Sequence, residues 1–207
     1  MTPAGKNNAG EHVSTRSLVL AGVGGQGTIT AANLLANALV AHGYDVKTSE
    51  VHGMAQRGGS VISMVRYGSS VASPLVPRGG ADALVSTELL ETLRYVDFLA
   101  PGGRVISSRA RVDPLSVPQG AAAYPEDAEE RVLELVPGSI FVDAADIAAA
   151  AGDLRASNTV LLGILSPLLA VDEDEWLEVI ERLVPGKALD ANMKAFLAGR
   201  GIAQERQ

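Results

Sequence analysis

Apolar residues along this chain fall into two patterns, short unbroken blocks and longer stretches with a helical repeat. The block at 17–21 (SLVLA) is flanked by glycine on its carboxyl side and reads as a short strand buried on both faces. Residues 28–42 place Ile29, Ala32, Leu35 and Leu39 near one face, which predicts a helix stopped at Gly43. A second strand at 45–49 completes the first half of a βαβ unit. Residues 60–67 (SVISMVRY) alternate as a strand does, and Gly68-Ser69-Ser70 offers a turn toward 71–73, so a hairpin or an extended excursion is expected there. Further on, 82–86 (DALVS) predicts a strand and about 87–98 a helix. Pro101-Gly102-Gly103 predicts a break before a strand at 104–107.

The Pro-rich stretch 110–125 has no regular pattern, and it precedes a helix at 126–135 and a strand at 139–143. Four helices are expected after that, at 144–151, 158–170, 172–184 and 187–198. In the third of these, Asp172 and Glu175 stand in capping-box positions, and Trp176, Ile180, Leu183 and Val184 form the apolar stripe. The alternation of strand and helix predicts an α/β fold. The expected form is a single Rossmann-like, doubly wound, mostly parallel sheet with helices on both faces and a helical C-terminal part. The expected organisation is a flexible leader at 1–16, one domain at 17–200 and a tail at 201–207.

Composition sharpens that picture. At 207 residues the chain suits one domain, and with only 4% aromatic residues its core must be built from Val, Leu, Ile and Ala. A formal net charge of -7 gives no general attraction for nucleic acid or an anionic membrane surface. The absence of cysteine excludes disulfides, thiolate-bound zinc and cysteine-ligated iron–sulfur clusters on this chain. The leader lacks the apolar core of a signal peptide, and no apolar run is long and unbroken enough to span a bilayer. A cytoplasmic protein without nucleic-acid or membrane partners is expected.

Candidate chemistry gathers at two glycine-rich segments. Gly22-Val23-Gly24-Gly25-Gln26-Gly27 follows a predicted strand and opens a predicted helix at Thr28. Such a loop lets a phosphate approach bare backbone and aims the helix N–H groups at its charge, although a tight turn without ligand has the same spelling. Glu50, at the end of the second predicted strand, is placed to hold a ribose, or to pair with Arg57 or His52 instead. Arg57, followed by Gly58 and Gly59, offers an always-charged fork beside exposed backbone donors, suited to a carboxylate or phosphate. A surface salt bridge is its plainer reading. Asn158 starts a long apolar helix, where a cap is the default role and a ligand contact the alternative. His12, His42 and His52 have no metal-ligand spacing. There is no GxxxxGK[ST] loop, no GxSxG elbow, no HExxH and no thiamine signature, so no catalytic residue is assigned and the reaction centre is expected in another polypeptide.

Together, residues 22–28 (GVGGQGT), 49–60 (SEVHGMAQRGGS) and 157–163 (SNTVLLG) resemble the gamma-type domain of 2-oxoacid:ferredoxin oxidoreductases. The unbroken middle segment is most similar to the beta subunit of the indolepyruvate type, and the resemblance covers about residues 17–200. It implies a hetero-oligomer in which a large partner subunit carries thiamine diphosphate, Mg and 4Fe-4S clusters and passes electrons to ferredoxin. Coenzyme A takes the acyl group, and the gamma-type domain is implicated in accommodating it. On this resemblance the chain is a non-thiamine subunit, inactive alone. Gly24, Gly25, Gln26 and Gly27 are then expected to receive the phosphate portion of coenzyme A, and Arg57 with Gly58 and Gly59 an anionic group or a partner carboxylate. Two alternatives are a self-sufficient nucleotide-binding dehydrogenase, which takes Glu50 at face value, and a purely structural scaffold subunit.

Overall fold

The computed structural model describes residues 13–52, 58–113 and 123–206. Among them β1 (Arg16–Val23), β2 (Asp45–His52), β3 (Ser60–Gly68), β4 (Ala81–Ser86), β5 (Leu99–Ser108) and β6 (Ile140–Val142) form one sheet in the order β2-β3-β1-β4-β5-β6. The helices are α1 (Thr28–Ala41), α2 (Leu89–Tyr95), α3 (Ala128–Leu135), α4 (Ala144–Ala151), α5 (Ser157–Leu165), α6 (Glu173–Leu183) and α7 (Gly186–Gln204).

β1, β4, β5 and β6 pair in parallel, while β3 is antiparallel to both β1 and β2. It follows that β2 runs the same way as β1 and only β3 is reversed, so the sheet is mostly parallel as expected. The first βαβ unit, however, is split. β3 slots between β1 and β2 in regular register, from Arg16↔Tyr67 to Val23↔Ser60 on one side and from Asp45↔Gly68 to His52↔Val61 on the other. The hairpin partner of β3 is therefore β2. The connection at 69–80 is an extended excursion that buries Val71 and Val76.

Alternation along each strand distributes its side chains to two layers. Leu18 and Leu20 of β1, Val65 of β3, Val85 of β4 and Ile106 of β5 face α1 and α4 through α7 in the main core. Val19 and Ala21 of β1, with Ile62 and Met64 of β3 and Leu84 of β4, face the opposite side. There Tyr95 and Phe98 pack against them, and Val132 of α3 meets Val105 and Phe141 nearby. Helices thus cover both faces. From Val160 to Leu165 α5 is apolar on every side and buried, while its first turn (Ser157-Asn158-Thr159) is polar. It crosses α7 closely: a Cβ on Gly163 would run into Phe196 O, and one on Gly199 into Val160 O.

Several boundaries move for identifiable reasons. Pro101-Gly102-Gly103 does not precede β5 but bulges within it, since Ala81 pairs with Leu99 and Ala83 with Arg104. Residues 13–16 are tied down, Val13 N donating to Ser69 Oγ at 2.9 Å and Ser69 N to Val13 O at 3.1 Å. α7 continues through the expected tail to Gln204, burying Ala203. Among the described residues, no helix is long and apolar enough to cross a membrane.

A candidate ligand cleft at the carboxyl ends of the strands

Chain direction creates the cleft. α1 leaves β1 toward one face of the sheet and α2 leaves the neighbouring β4 toward the other, so the connections diverge and a crevice opens at the carboxyl ends of the strands. The cavity there measures about 780 Å³, within the range of small-molecule sites. Its polar wall is made by Gly25, Gln26 and Gly27 with Thr30, Asn33 and Asn37 of α1, and by Thr87, Arg155 and Asn158. Leu34, Leu161, Leu162, Leu183 and Val184 supply the apolar side. Among the described residues Arg155 is the one charged residue in the lining and no carboxylate lines the cavity, although the chain carries a net charge of -7.

The glycine loop is held by its own side chains. Gln26 folds back so that its Oε1 accepts from Val23 N at 3.0 Å and from Thr87 Oγ1 at 2.8 Å. Gln26 N returns to Val23 O at 3.0 Å, and Asn158 Nδ2 donates to Gln26 O at 2.7 Å. Gly22 permits this closeness, because a Cβ there would collide with the hydroxyls of Thr87 and Thr28. Gly27 adopts φ of 77°, the left-handed turn that delivers the chain into α1.

Gly24 is engaged elsewhere. Its N–H donates to Gly59 O at 2.7 Å and its carbonyl accepts from Gly58 N at 3.2 Å, so the two glycine-rich segments meet backbone to backbone, prolonging the β1–β3 ladder. Ser60, next in the chain, donates its hydroxyl to the buried Glu91 of α2 and lies 2.8 Å from Tyr95 Oη.

What the loop still offers to a ligand is backbone N–H. The N–H groups of Gly25 and Gly27 have no partner among the described residues. α1 has no side-chain cap, and Ala31 N is the first of its donors to be used, bonding Gly27 O at 3.0 Å. Three donors of the first turn, on Thr28, Ile29 and Thr30, are therefore without a partner among the described residues, with the positive end of the helix dipole behind them. Thr28 Oγ1 is also buried without a partner among the described residues.

The start of α2 is closed by contrast. Glu88 Oε2 accepts from Glu91 N at 2.8 Å, Leu89 N donates to Ala110 O at 3.0 Å, and Leu90 N donates to Tyr124 Oη at 3.1 Å. Glu88 Oε1 in turn accepts from Tyr124 Oη at 2.6 Å and from Val112 N at 3.1 Å. Burial, then the neighbouring Glu88 carboxylate, raises the Tyr124 phenol well above its ordinary value. Of the two helix starts at the crevice, one holds an internal carboxylate and the other, among the described residues, faces none.

Arg155 is oriented by Asp153, whose oxygens accept from its guanidinium at 2.7–3.1 Å and whose carboxyl is lowered to about 2 by that pairing.

The expected site residues separate accordingly. Gly25, Gln26, Gly27 and Asn158 line the cleft; Gly22 and Thr28 lie beneath the loop; Gly24, Gly58 and Gly59 pair with one another. Glu50 sits on the outermost strand with β3 between it and β1, and it does not line the cavity. Two strand spacings, about 9–10 Å, separate it from β1, whereas a ribose-binding acid requires the adjacent strand. Arg57 lies outside the described residues, as do Gly53 through Gln56. Sequence reasoning missed Thr30, Asn33, Asn37, Thr87 and Arg155. The helical spacing of Thr30, Asn33 and Asn37 along an otherwise apolar helix was a usable signal, whereas Thr87 and Arg155 had none.

Comparison with known proteins gives a consistent result. The profile of the pyruvate ferredoxin/flavodoxin oxidoreductase family matches residues 17–202. Indolepyruvate oxidoreductase subunit IorB of Thermococcus kodakarensis is 43% identical, over 91% of this chain and 96% of that one. The gamma subunit of a keto/oxoacid ferredoxin oxidoreductase from Geobacter sulfurreducens superposes with a TM-score of 0.68 at 22% identity, covering 92% of this chain and 99% of its own. A chain of 2-oxoglutarate:ferredoxin oxidoreductase from Magnetococcus marinus, solved with 2-oxoglutarate, coenzyme A and succinyl-CoA bound, superposes with a TM-score of 0.69 at 21% identity. That match spans 92% of this chain and 31% of that one.

Proposed function

This chain belongs to the pyruvate ferredoxin/flavodoxin oxidoreductase family, as a small subunit of an indolepyruvate-type 2-oxoacid:ferredoxin oxidoreductase, and we propose that its cleft receives the phosphate-bearing part of coenzyme A. One observation carries this reading: among the described residues, the uncapped start of α1, with the unpartnered N–H groups of Gly25 and Gly27 beside it, opens into a cavity lined by one arginine and no carboxylate. A helix N-terminus in such surroundings favours an anion through both its donors and its dipole.

In this proposal the chain's own residues bind and orient. Gly25, Gly27 and the first turn of α1 hold phosphate oxygens, Arg155 adds a positive charge at the rim, and Leu161, Leu162, Leu183 and Val184 shield an uncharged portion of the ligand from water. Among the described residues no group of three or more His, Cys, Asp or Glu is placed to hold a metal, and the chain has no cysteine. The donor set therefore fits no iron–sulfur cluster, and thiamine diphosphate, Mg and the clusters are assigned to a large partner subunit that also serves ferredoxin. Thiamine diphosphate supplies the decarboxylation chemistry there. We propose that the complex works in the cytoplasm.

The test is 2-oxoacid-dependent viologen reduction by the two-subunit complex, with coenzyme A varied. Activity that needs both chains, together with a coenzyme A KM raised about tenfold or more by Arg155→Glu, is the expected result. A partner fully active alone, or a coenzyme A KM unchanged in that variant, contradicts the reading. The backbone pairing of Gly24 with Gly58 and Gly59 favours a structural role for the second glycine segment, and a scaffold subunit without ligand predicts the unchanged KM.

A further inference from the structure

We propose that Asn158 is a positioning residue, which fixes the direction in which the glycine loop presents its Gly27 N–H rather than contacting the ligand itself. The inference rests on the assignment of the cleft to coenzyme A. Asn158 Nδ2 donates to Gln26 O at 2.7 Å across 132 residues of sequence. A carbonyl accepts only from a donor, so the bond also decides which end of the Asn158 amide faces the loop. A peptide unit is planar and trans, and anchoring the Gln26 carbonyl therefore sets the opposed N–H of Gly27. That N–H has no partner among the described residues, and Gly27 lines the cavity.

The post that carries Asn158 is rigid. Val160, Leu161, Leu162, Ile164 and Leu165 of α5 are buried in the main core, and the adjoining Thr159 donates its hydroxyl to Asn192 of α7 at 2.6 Å. On the other side of the loop, Thr87 grips Gln26 Oε1 at 2.8 Å. The loop is therefore held between β4 and α5, with Gln26 as the piece that both sides grasp. Without Asn158 the Gln26–Gly27 peptide is free to rotate, and the donor that meets the phosphate loses its fixed aim.

The experiment compares Asn158→Ala and Asn158→Asp with the unaltered complex in the viologen assay, with Arg155→Glu alongside. Asn158→Ala is expected to raise the coenzyme A KM about tenfold, with kcat and the 2-oxoacid KM changed by less than about twofold. Asn158→Asp has the same shape but, when ionised, no donor. At the assay pH that carboxyl is ionised, so this variant is expected to raise the coenzyme A KM at least as much as Asn158→Ala does. An unchanged coenzyme A KM in both Asn158 variants, with Arg155→Glu impaired, overturns the positioning role and leaves the cleft assignment standing. Unchanged values in all three variants overturn the assignment as well. Equal defects in kcat and in both KM values reduce Asn158 to a structural residue and also overturn the proposal.

Discussion

At Tyr67, burial determines the chemistry of a single hydroxyl. The side chain is 5% exposed, its ring lies 5.1 Å from that of Tyr44, and burial raises its phenol to about 12 against a weaker opposing pull from Arg16. The folded value exceeds the unfolded one of about 10, so the native state holds this proton more tightly. The corresponding stability is fully present below pH about 10 and is lost as pH rises through about 12. Tyr124 is raised in the same direction and contributes to the same limb. Tyr67→Phe should therefore make the fall of the urea midpoint between pH 10 and 12 shallower. A limb as steep as in the unaltered protein would contradict the assignment. Gly22 shows the complementary case, in which a side chain is excluded. Gly22→Ala drives a methyl into the Thr87 and Thr28 hydroxyls and should cost about 1–3 kcal/mol, measured by urea unfolding. The GxGxxG spelling marks this residue correctly, but its collision partner Thr87 follows β4, which no local pattern places beside it.

Between elements, close approach matters as much as apolar periodicity. α5 and α7 touch through Gly163 and Gly199, so Gly199→Ala should lower the melting temperature, at a cost of about 1–3 kcal/mol. Gly201, two residues further on in the same helix, has open space around its missing Cβ. Gly201→Ala should stabilise by up to about 1 kcal/mol through helix propensity alone. Opposite signs from neighbouring glycines in one helix, read by thermal melts, are the outcome that tests the packing. The start of α6 shows how far an element can be read in advance. The Asp172–Glu175 capping box is visible in the residues and present in the fold. The 2.7 Å bond from Glu175 to His42, which fastens α6 to the end of α1, is not visible in advance, because its partners are 133 residues apart in sequence.

For the whole molecule, strand order is decisive. Every strand expected from the apolar pattern exists, yet β3 lies between β1 and β2 and splits the unit on which a dinucleotide reading depended. Glu50 is moved out with β2. Glu50→Gln is accordingly expected to leave the coenzyme A KM within about twofold of the unaltered complex; a larger rise would return the acid to the site.

The residues by themselves determined the layered α/β class, the strand and helix positions, the glycine loop and the resemblance to the oxidoreductase family. All of these depend on periodicity and local turn chemistry within a few residues. The tertiary structure alone decided that Gly24 pairs with Gly59, that Thr87 and Asn158 grip Gln26 from two sides, and that α1 rather than α2 leaves its first turn open. Each of these is a hydrogen bond between groups distant in sequence or a charge supplied by another segment. Such pairings are settled by the order in which strands join and helices pack, and local spacing does not encode that order.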